Sequence, residues 1–273
     1  MKRTVFCLLV ASLLGSGAAL AQYTQLTPNV GAVNWTDQVV RATGYGAANP
    51  NTPPGAQRAG ALQAAKVVAL RNLLEMVKGM NINSQTTVEN AMVTSDVINT
   101  RVSGVVRNFT IVDTRYMSSG DIEVDVEVPL SSFYELFAEM PGVIPFGMAG
   151  SAPATGVRPN TVYTGLIVDA RGLGARPALA PRIVDESGNE VYGSGQVSRD
   201  YAIQIGVVGY EKDLDRAAKN ERVAGNPIVV KGVKASGANN ADVVISDQDA
   251  RSIREAGANL NFMEQCKVMV ILD

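Results

Sequence analysis

Residues 121–130 read DIEVDVEVPL. Ile122, Val124, Val126 and Val128 alternate strictly with Asp121, Glu123, Asp125 and Glu127. Successive side chains of a strand point to opposite faces, so this stretch predicts a half-buried antiparallel strand with one apolar and one acidic face. The acids share that second face as like charges and read as solvated, not as a site. Upstream, Ser118-Ser119-Gly120-Asp121 predicts a turn, and residues 109–116, carrying Phe109, Ile111 and Val112, predict the hairpin partner.

Working outward, residues 56–80 (AQRAGALQAAKVVALRNLLEMVKGM) carry Leu62, Ala65, Ala69, Leu73 and Met76 at three- and four-residue steps. That spacing predicts a long amphipathic helix ending near Gly79. Ala59, Gly60, Ala61, Ala64 and Ala65 make its first half slim, which allows close helix–sheet contact. Ahead of it WTDQVVRATGYGAA, residues 35–48, predicts a strand ending in small residues, and Pro50, Pro53, Pro54 and Gly55 break the chain. Behind it, Thr86-Thr87-Val88 is short and β-prone. Val97, Ile98, Val102 and Val105 then predict a second helix. Strand, two helices and hairpin form an α+β layer, with one face of a small, mostly antiparallel sheet packed on two helices. Residues 131–140 (SSFYELFAEM) predict a further short helix opened by Ser131 or Ser132.

The N-terminus predicts export. Lys2 and Arg3 precede an apolar run at residues 5–14, and Ala19-Leu20-Ala21 forms a small-x-small cleavage site, with processing after Ala21. The run is shorter than the roughly 20 residues of a membrane span. No transmembrane span is therefore expected after processing, and the expected location is the periplasm, peripheral to the outer membrane. Removing Lys2 and Arg3 from the 24 basic residues leaves 22 against 26 acidic ones, a net charge of −4. That balance argues against a nucleic-acid partner, which would want a basic stripe. Cys266 alone survives processing, so no intramolecular disulfide can form; its setting before Val268 predicts burial at the start of a core strand.

The block from Trp35 to Pro129 resembles the Lpp-twenty family of bacterial envelope lipoproteins and is similar to the N-terminal domain of the flagellar T-ring assembly protein. The resemblance rests on Ala42-Thr43-Gly44-Tyr45-Gly46-Ala47 and the helix at 56–80. It rests further on Thr87-Val88-Glu89-Asn90, Gly104, and the closing Val124-Asp125-Val126-Glu127-Val128. It implies outer-membrane or periplasmic placement, a two-helix-on-sheet module, and partners among envelope or flagellar basal-body proteins. Family members carry a lipidated cysteine after the signal; here no cysteine follows Ala21 until Cys266.

Residues 141–160, rich in Gly, Pro and Ala, predict a linker between a first domain at 33–140 and a second, smaller α+β domain at 161–273. The second opens with a strand at 162–168 and a Gly172-Leu173-Gly174 turn. Strands at 179–184 and 190–192 flank the turn Asp185-Glu186-Ser187-Gly188-Asn189. A charged stretch at 210–220 reads as helix or loop. Strands at 228–233, 243–246 and 267–272 and a helix at 247–256 complete it. The stretch TGLIVDARGLGARPALAPRIVDESGNEVYG resembles the C-terminal part of other bacterial proteins and implies no function.

The chain contains no histidine, which excludes Ser-His-Asp and Cys-His catalysis; with one cysteine left after processing, the usual Cys/His zinc site is excluded too. No metal or cofactor is called for. Carboxylate pairs stay open, because acids are plentiful. The sharpest local candidate is Asp169-Ala170-Arg171-Gly172-Leu173-Gly174-Ala175-Arg176-Pro177. Two glycines and two arginines after a strand can form an anion- or partner-binding loop around Asp169, Arg171 and Arg176. The plainer alternative is a tight turn with Asp169 paired to Arg171 or Arg176. GLG lacks the third glycine of a dinucleotide fingerprint. Asp242, Asp247 and Asp249 near Ser246 do not match a calcium loop and read as helix capping. Trp35 and Tyr45 read as a sugar-stacking surface or, more simply, as core aromatics. The expectation is a non-enzymatic structural or assembly protein of the envelope, acting through protein contacts and as a homo-oligomer. The alternative is a small-ligand or cell-wall-glycan module using the Arg171–Arg176 loop.

Overall fold

The computed structural model describes residues 22–28, 30–140, 143–146, 162–255 and 261–273. The predicted signal segment and most of the predicted linker lie outside the described residues. What is described is a mixed α+β chain built on two sheets.

The first unit runs β1 (Thr24–Thr27), β2 (Gly31–Asn34), β3 (Val39–Gly46), α1 (Pro54–Lys78), α2 (Val88–Thr94), α3 (Asp96–Arg107), β4 (Thr110–Tyr116), β5 (Ile122–Pro129) and α4 (Ser131–Ala138). Its strands pair antiparallel in the order β1-β2-β3-β5-β4. The alternation at 122–128 sorts as predicted, with Ile122, Val124, Val126 and Val128 buried beneath the helices. Ala61, Ala65 and Ala69, one turn apart on α1, are also buried. They sit on Gly44 and Gly46 of β3. A Cβ at Gly44 would overlap the Ala65 carbonyl and lie 2.7 Å from Ala69 Cα; one at Gly46 would lie 2.6 Å from Ala65 N. The helix therefore rests on sheet backbone, and small residues are needed on both sides. Asn72 Nδ2 donates to the Thr43 carbonyl at 2.7 Å and ties the same two elements.

Several expectations are corrected. Thr87 belongs to no strand of the sheet: its hydroxyl accepts from Asn90 N at 3.2 Å and caps α2. Ser131 and Ser132 do not cap α4, whose N-cap is Leu130 without a side-chain bond. Tyr45 is about half exposed, whereas Trp35 is buried. The acidic face of β5 is not simply solvated. Arg41 Nη2 lies 2.6 Å from Glu127, and Arg115 reaches Asp113 at 2.6 Å, Asp125 at 2.7 Å and Glu123 at 3.0 Å. Thr43 donates to Asp125 and Tyr45 to Asp121, both at 2.6 Å. These cross-strand partners come from β3 and β4, so the repulsion along β5 is offset from both sides. The bond from Arg115 holds the Asp125 carboxyl below the ordinary carboxylate range.

The second unit runs β6 (Gly165–Asp169), β7 (Ile183–Val184), β8 (Glu190–Tyr192), α5 (Arg199–Ile205), β9 (Gly209–Glu211), α6 (Leu214–Lys219), β10 (Pro227–Ser236), β11 (Asp242–Ile245), α7 (Asp247–Glu255), α8 (Asn261–Glu264) and β12 (Val268–Ile271). The seven strands lie in the order β8-β7-β11-β10-β6-β12-β9, with β6 parallel to both β10 and β12, and β12 parallel to β9. Parallel strands are buried on both faces, which explains the unbroken apolar runs Leu166-Ile167-Val168 and Val268-Met269-Val270-Ile271. Leu166, Val168, Val268 and Val270 face the main core, while Ile167, Met269 and Ile271 pack with Ala217 of α6 and Val223. The stretch at 210–220, read as one charged segment, divides: Tyr210 and Glu211 end a buried strand, and only the remainder holds a helix. Cys266 is buried as predicted, just before β12.

The two sheets share one apolar cluster. Trp35 packs edge-on against Tyr210, ring centres 5.6 Å apart at 75°. Leu179 N donates to Asn81 O at 3.0 Å and Ala180 N to Ile82 O at 2.7 Å, while the buried Tyr134 hydroxyl donates to Leu179 O at 2.9 Å. These backbone bonds dock the second unit firmly against the first.

Candidate functional site

Three places can do chemistry or bind: the carboxyl ends of the parallel strands, a cleft between the units, and the free edge of the first sheet. The register sets Asp169, Ile271 and Glu211 side by side at the ends of β6, β12 and β9. This is the end of an open parallel sheet where ligand sites usually form. The Asp169 carboxylate accepts from Arg171 Nε at 2.9 Å and Nη2 at 2.6 Å, and that pairing lowers its pKa. The two charges are thus spent on each other inside the turn. Gly172 and Gly174 take left-handed φ values of 76° and 65°, and Gly172 N donates to both carboxylate oxygens of Asp273 at 2.9 Å.

Arg176 does not join Asp169. Its amide donates to Asn240 O at 2.9 Å, and its charge opposes that of Asp273 at the Tyr23 hydroxyl, whose pKa is raised chiefly by burial. Lys212 Nζ lies 5.8 Å from the Tyr23 ring centre. The structure thus adds Tyr23, Lys212 and Asp273 to the neighbourhood of the predicted loop. Tyr23 comes from the lead segment, whose local pattern carries no sign of this contact. Next to them Glu211 is buried; Arg216 stands 3.6 Å from its Oε1 and no donor reaches its Oε2. Burial raises its pKa.

The other predicted acids serve separate jobs. Asp242 Oδ2 accepts from Arg182 Nη2 at 2.6 Å and from its Nε at 3.0 Å. Ser246 Oγ accepts from Asp249 N at 3.0 Å and caps α7, as its position predicts. Asp247 accepts from Glu186 N at 3.1 Å. Among the described residues no cluster of three acidic or thiol side chains could hold a metal.

A cleft of about 580 Å³ lies between the units, lined in part by Thr36, Gln38, Tyr210, Arg222 and Lys267. Several of its polar groups are already engaged. Thr36 Oγ1 donates to Tyr210 O at 2.9 Å and Gln38 Nε2 to Ile205 O at 2.6 Å. The Arg222 guanidinium donates to Cys266 O at 2.8 Å, Gly206 O at 3.0 Å and Ile205 O. It thereby closes the carbonyl ends of α5 and α8, where a cation is favoured. Burial lowers its pKa. The cleft is the joint of the molecule: Thr36 and Gln38 bond across it, and Arg222 braces its second-unit side.

Residues 36–129 match the model of the LPP20 lipoprotein family. That span opens at the joint residue Thr36 and closes on the last residue of β5. The chain carries an LPP20-type module. Residues 165–273, from the first residue of β6 onward, match the second domain of Treponema pallidum Tp0624, so the two matches divide between the two sheets. A comparison with curated proteins returns no match. The LPP20 match covers most of the first unit, and the family it names is one of lipoproteins. Among the described residues no helix is long and apolar enough to cross a membrane.

The third place belongs to the LPP20-type module itself. Among the described residues β4 is the outermost strand of its sheet, and its residues are almost all exposed. Ile111 and Tyr116 stand opposite Val126 and Ile122, on the face that the helices cover over β5. That cover stops short of β4: Ile111, Val112, Tyr116 and Met117 are 39%, 44%, 64% and 40% exposed. The core-facing apolar row of the sheet thus continues into solvent at its edge.

Proposed function

We propose that this protein is a structural or assembly component of the bacterial envelope that works through protein–protein contacts. The observation that carries the reading is the uncovered edge of the LPP20-type module. An exposed strand with unpaired backbone groups and four half-exposed apolar side chains is a docking element unless something covers it. The edge is held by its pairing with β5, whose apolar face belongs to the core shared with the second unit. Periplasmic placement beside the outer membrane, and basal-body proteins as partners, are the version that the family resemblance implies.

Affinity purification of the tagged chain from cross-linked native envelopes tests the reading. Recovery of a defined set of envelope proteins, lost on replacing Ile111 and Tyr116 by Lys, is expected. An unchanged set with that variant, or recovery of glycan alone, overturns it. Glycan recovery would turn attention to the second reading, a small-ligand or glycan site at the Arg171–Arg176 loop, which the Lys212 ammonium 5.8 Å from the neighbouring Tyr23 ring centre favours.

A further inference from the structure

Resting on that reading, we infer that the occupant of the β4 edge is a second copy of this chain, paired antiparallel about Thr114. Residues 112–116 read Val-Asp-Thr-Arg-Tyr. Their character is palindromic: apolar, acid, hydroxyl, base, apolar. Laid antiparallel on itself with Thr114 opposite Thr114, the strand sets Asp113 of each copy against Arg115 of the other, and Val112 against Tyr116. A shift by one residue in either direction loses these pairs. Charge and apolar complementarity therefore select one partner and one register.

The backbone fits the same arrangement. Met117 N donates to Asp121 O at 3.0 Å, so Met117 turns its amide toward the hairpin partner. By alternation Arg115 and Asp113 do likewise, and Thr114 turns outward. The Thr114 amide accordingly donates to the Asp113 carboxylate, at 2.8 Å, and not into the β4–β5 ladder. In the single chain Asp113 shields the edge twice, bonding the outward amide and Arg115. On pairing, each Asp113 moves to the other copy's Arg115, and each Thr114 amide donates to the carbonyl of the facing Thr114. Arg115 keeps Asp125 and Glu123. The extra residue at the Val112 bulge and the charges at 113 and 115 reject strands that lack this pattern. Two five-stranded sheets would join into one of ten strands, with the exposed Val112 and Tyr116 rows covering each other. A single strand pair buries less than a standard interface, so the contact is reversible and concentration-dependent.

Sedimentation velocity across a concentration series, together with oxidative cross-linking, tests this on the purified chain. The wild type should move from one to two chain masses. Asp113→Arg and Arg115→Asp should each weaken association at least tenfold, since like charges then face each other. Mixing the two variants, or combining both changes in one chain, should restore it. Should Arg115→Asp fail to fold, Thr114→Cys decides the matter. Facing Cα atoms in a ladder are about 4.5–5.5 Å apart, within disulfide reach. Thr114→Cys should cross-link to itself, and Thr110→Cys, several residues off the axis, should not. A wild type that stays monomeric at all concentrations, equal association by folded single charge variants, or equal cross-linking at 110 and 114 would overturn the inference. Envelope proteins captured through the edge by a chain that stays monomeric would leave the assembly reading standing and remove only the self-pairing.

Discussion

Adding one methyl group at Gly44 should cost as much as many core truncations. In β3 this glycine lies under α1, where a new Cβ would overlap the Ala65 carbonyl and sit 2.7 Å from Ala69 Cα. Both are helix backbone, so no side chain can rotate away. Relief requires the helix to lift by about 1 Å, and a gap of that size forfeits up to roughly half of each van der Waals contact along the Ala61–Ala65–Ala69 stripe. Overpacking typically costs about 1–3 kcal/mol, and a backbone obstacle puts Gly44→Ala at or above the upper end. For a chain of this size each kcal/mol lowers Tm by about 2–4 °C, so a fall of roughly 6–12 °C is expected by calorimetry. Gly60→Ala and Gly104→Ala supply the control. Both sit in helices, with nothing within 4 Å of the added Cβ. There the same substitution should stabilise by about 0.5–1 kcal/mol, because alanine is the better helix former. A Gly44→Ala protein that melts within a degree of the wild type, or controls that fall as far, would refute the close approach of helix and sheet.

Trp35, the single tryptophan, reports on the joint. Denaturation followed by its fluorescence and by far-ultraviolet circular dichroism should give coincident transitions, because one core spans both sheets; a separate early fluorescence change would contradict that. Trp35→Ala should cost about 3–5 kcal/mol and lower both sheets' stability together, read from denaturant midpoints. Burial raises the Glu211 pKa. The folded state therefore holds a proton more tightly than the unfolded chain, and stability is lost as pH rises through and above the ordinary glutamate value of about 4.3. Glu211→Gln should accordingly gain on the wild type between pH 4 and pH 7, and a Tm difference that stays flat over that range would count against the buried carboxylate. The Cys266 thiol is pushed up to about 11 by burial. It should resist a thiol reagent at pH 8 in the native protein and react fully in denaturant; rapid native labelling would show that it is accessible.

Much of the first unit was legible because its signals are local. The alternation at 122–128 and the three- and four-residue steps of 62–76 each determine which side of an element is apolar, whatever it packs against. The slim helix half and the small-residue strand end could even be matched to each other. Capping was less legible: Thr87 looked like a strand residue because β-branched side chains suit strands, yet its hydroxyl serves a helix start equally well. In the second unit, continuous apolar runs named strands without naming their neighbours, since a strand buried on both faces has no alternation to read. Tyr210 was hidden inside a charged run because its burial comes from Trp35 and Ala178, far away in sequence. The predicted loop shows the same division. Composition placed Asp169, Arg171 and Arg176 after a strand, and it set out both the binding loop and the ion-paired turn. Tertiary structure alone decided that Asp169 takes Arg171 and that Arg176 does not join them. It also decided that the LPP20-type sheet ends in an uncovered strand, because cover depends on where the helices stop, and no period in the chain records that.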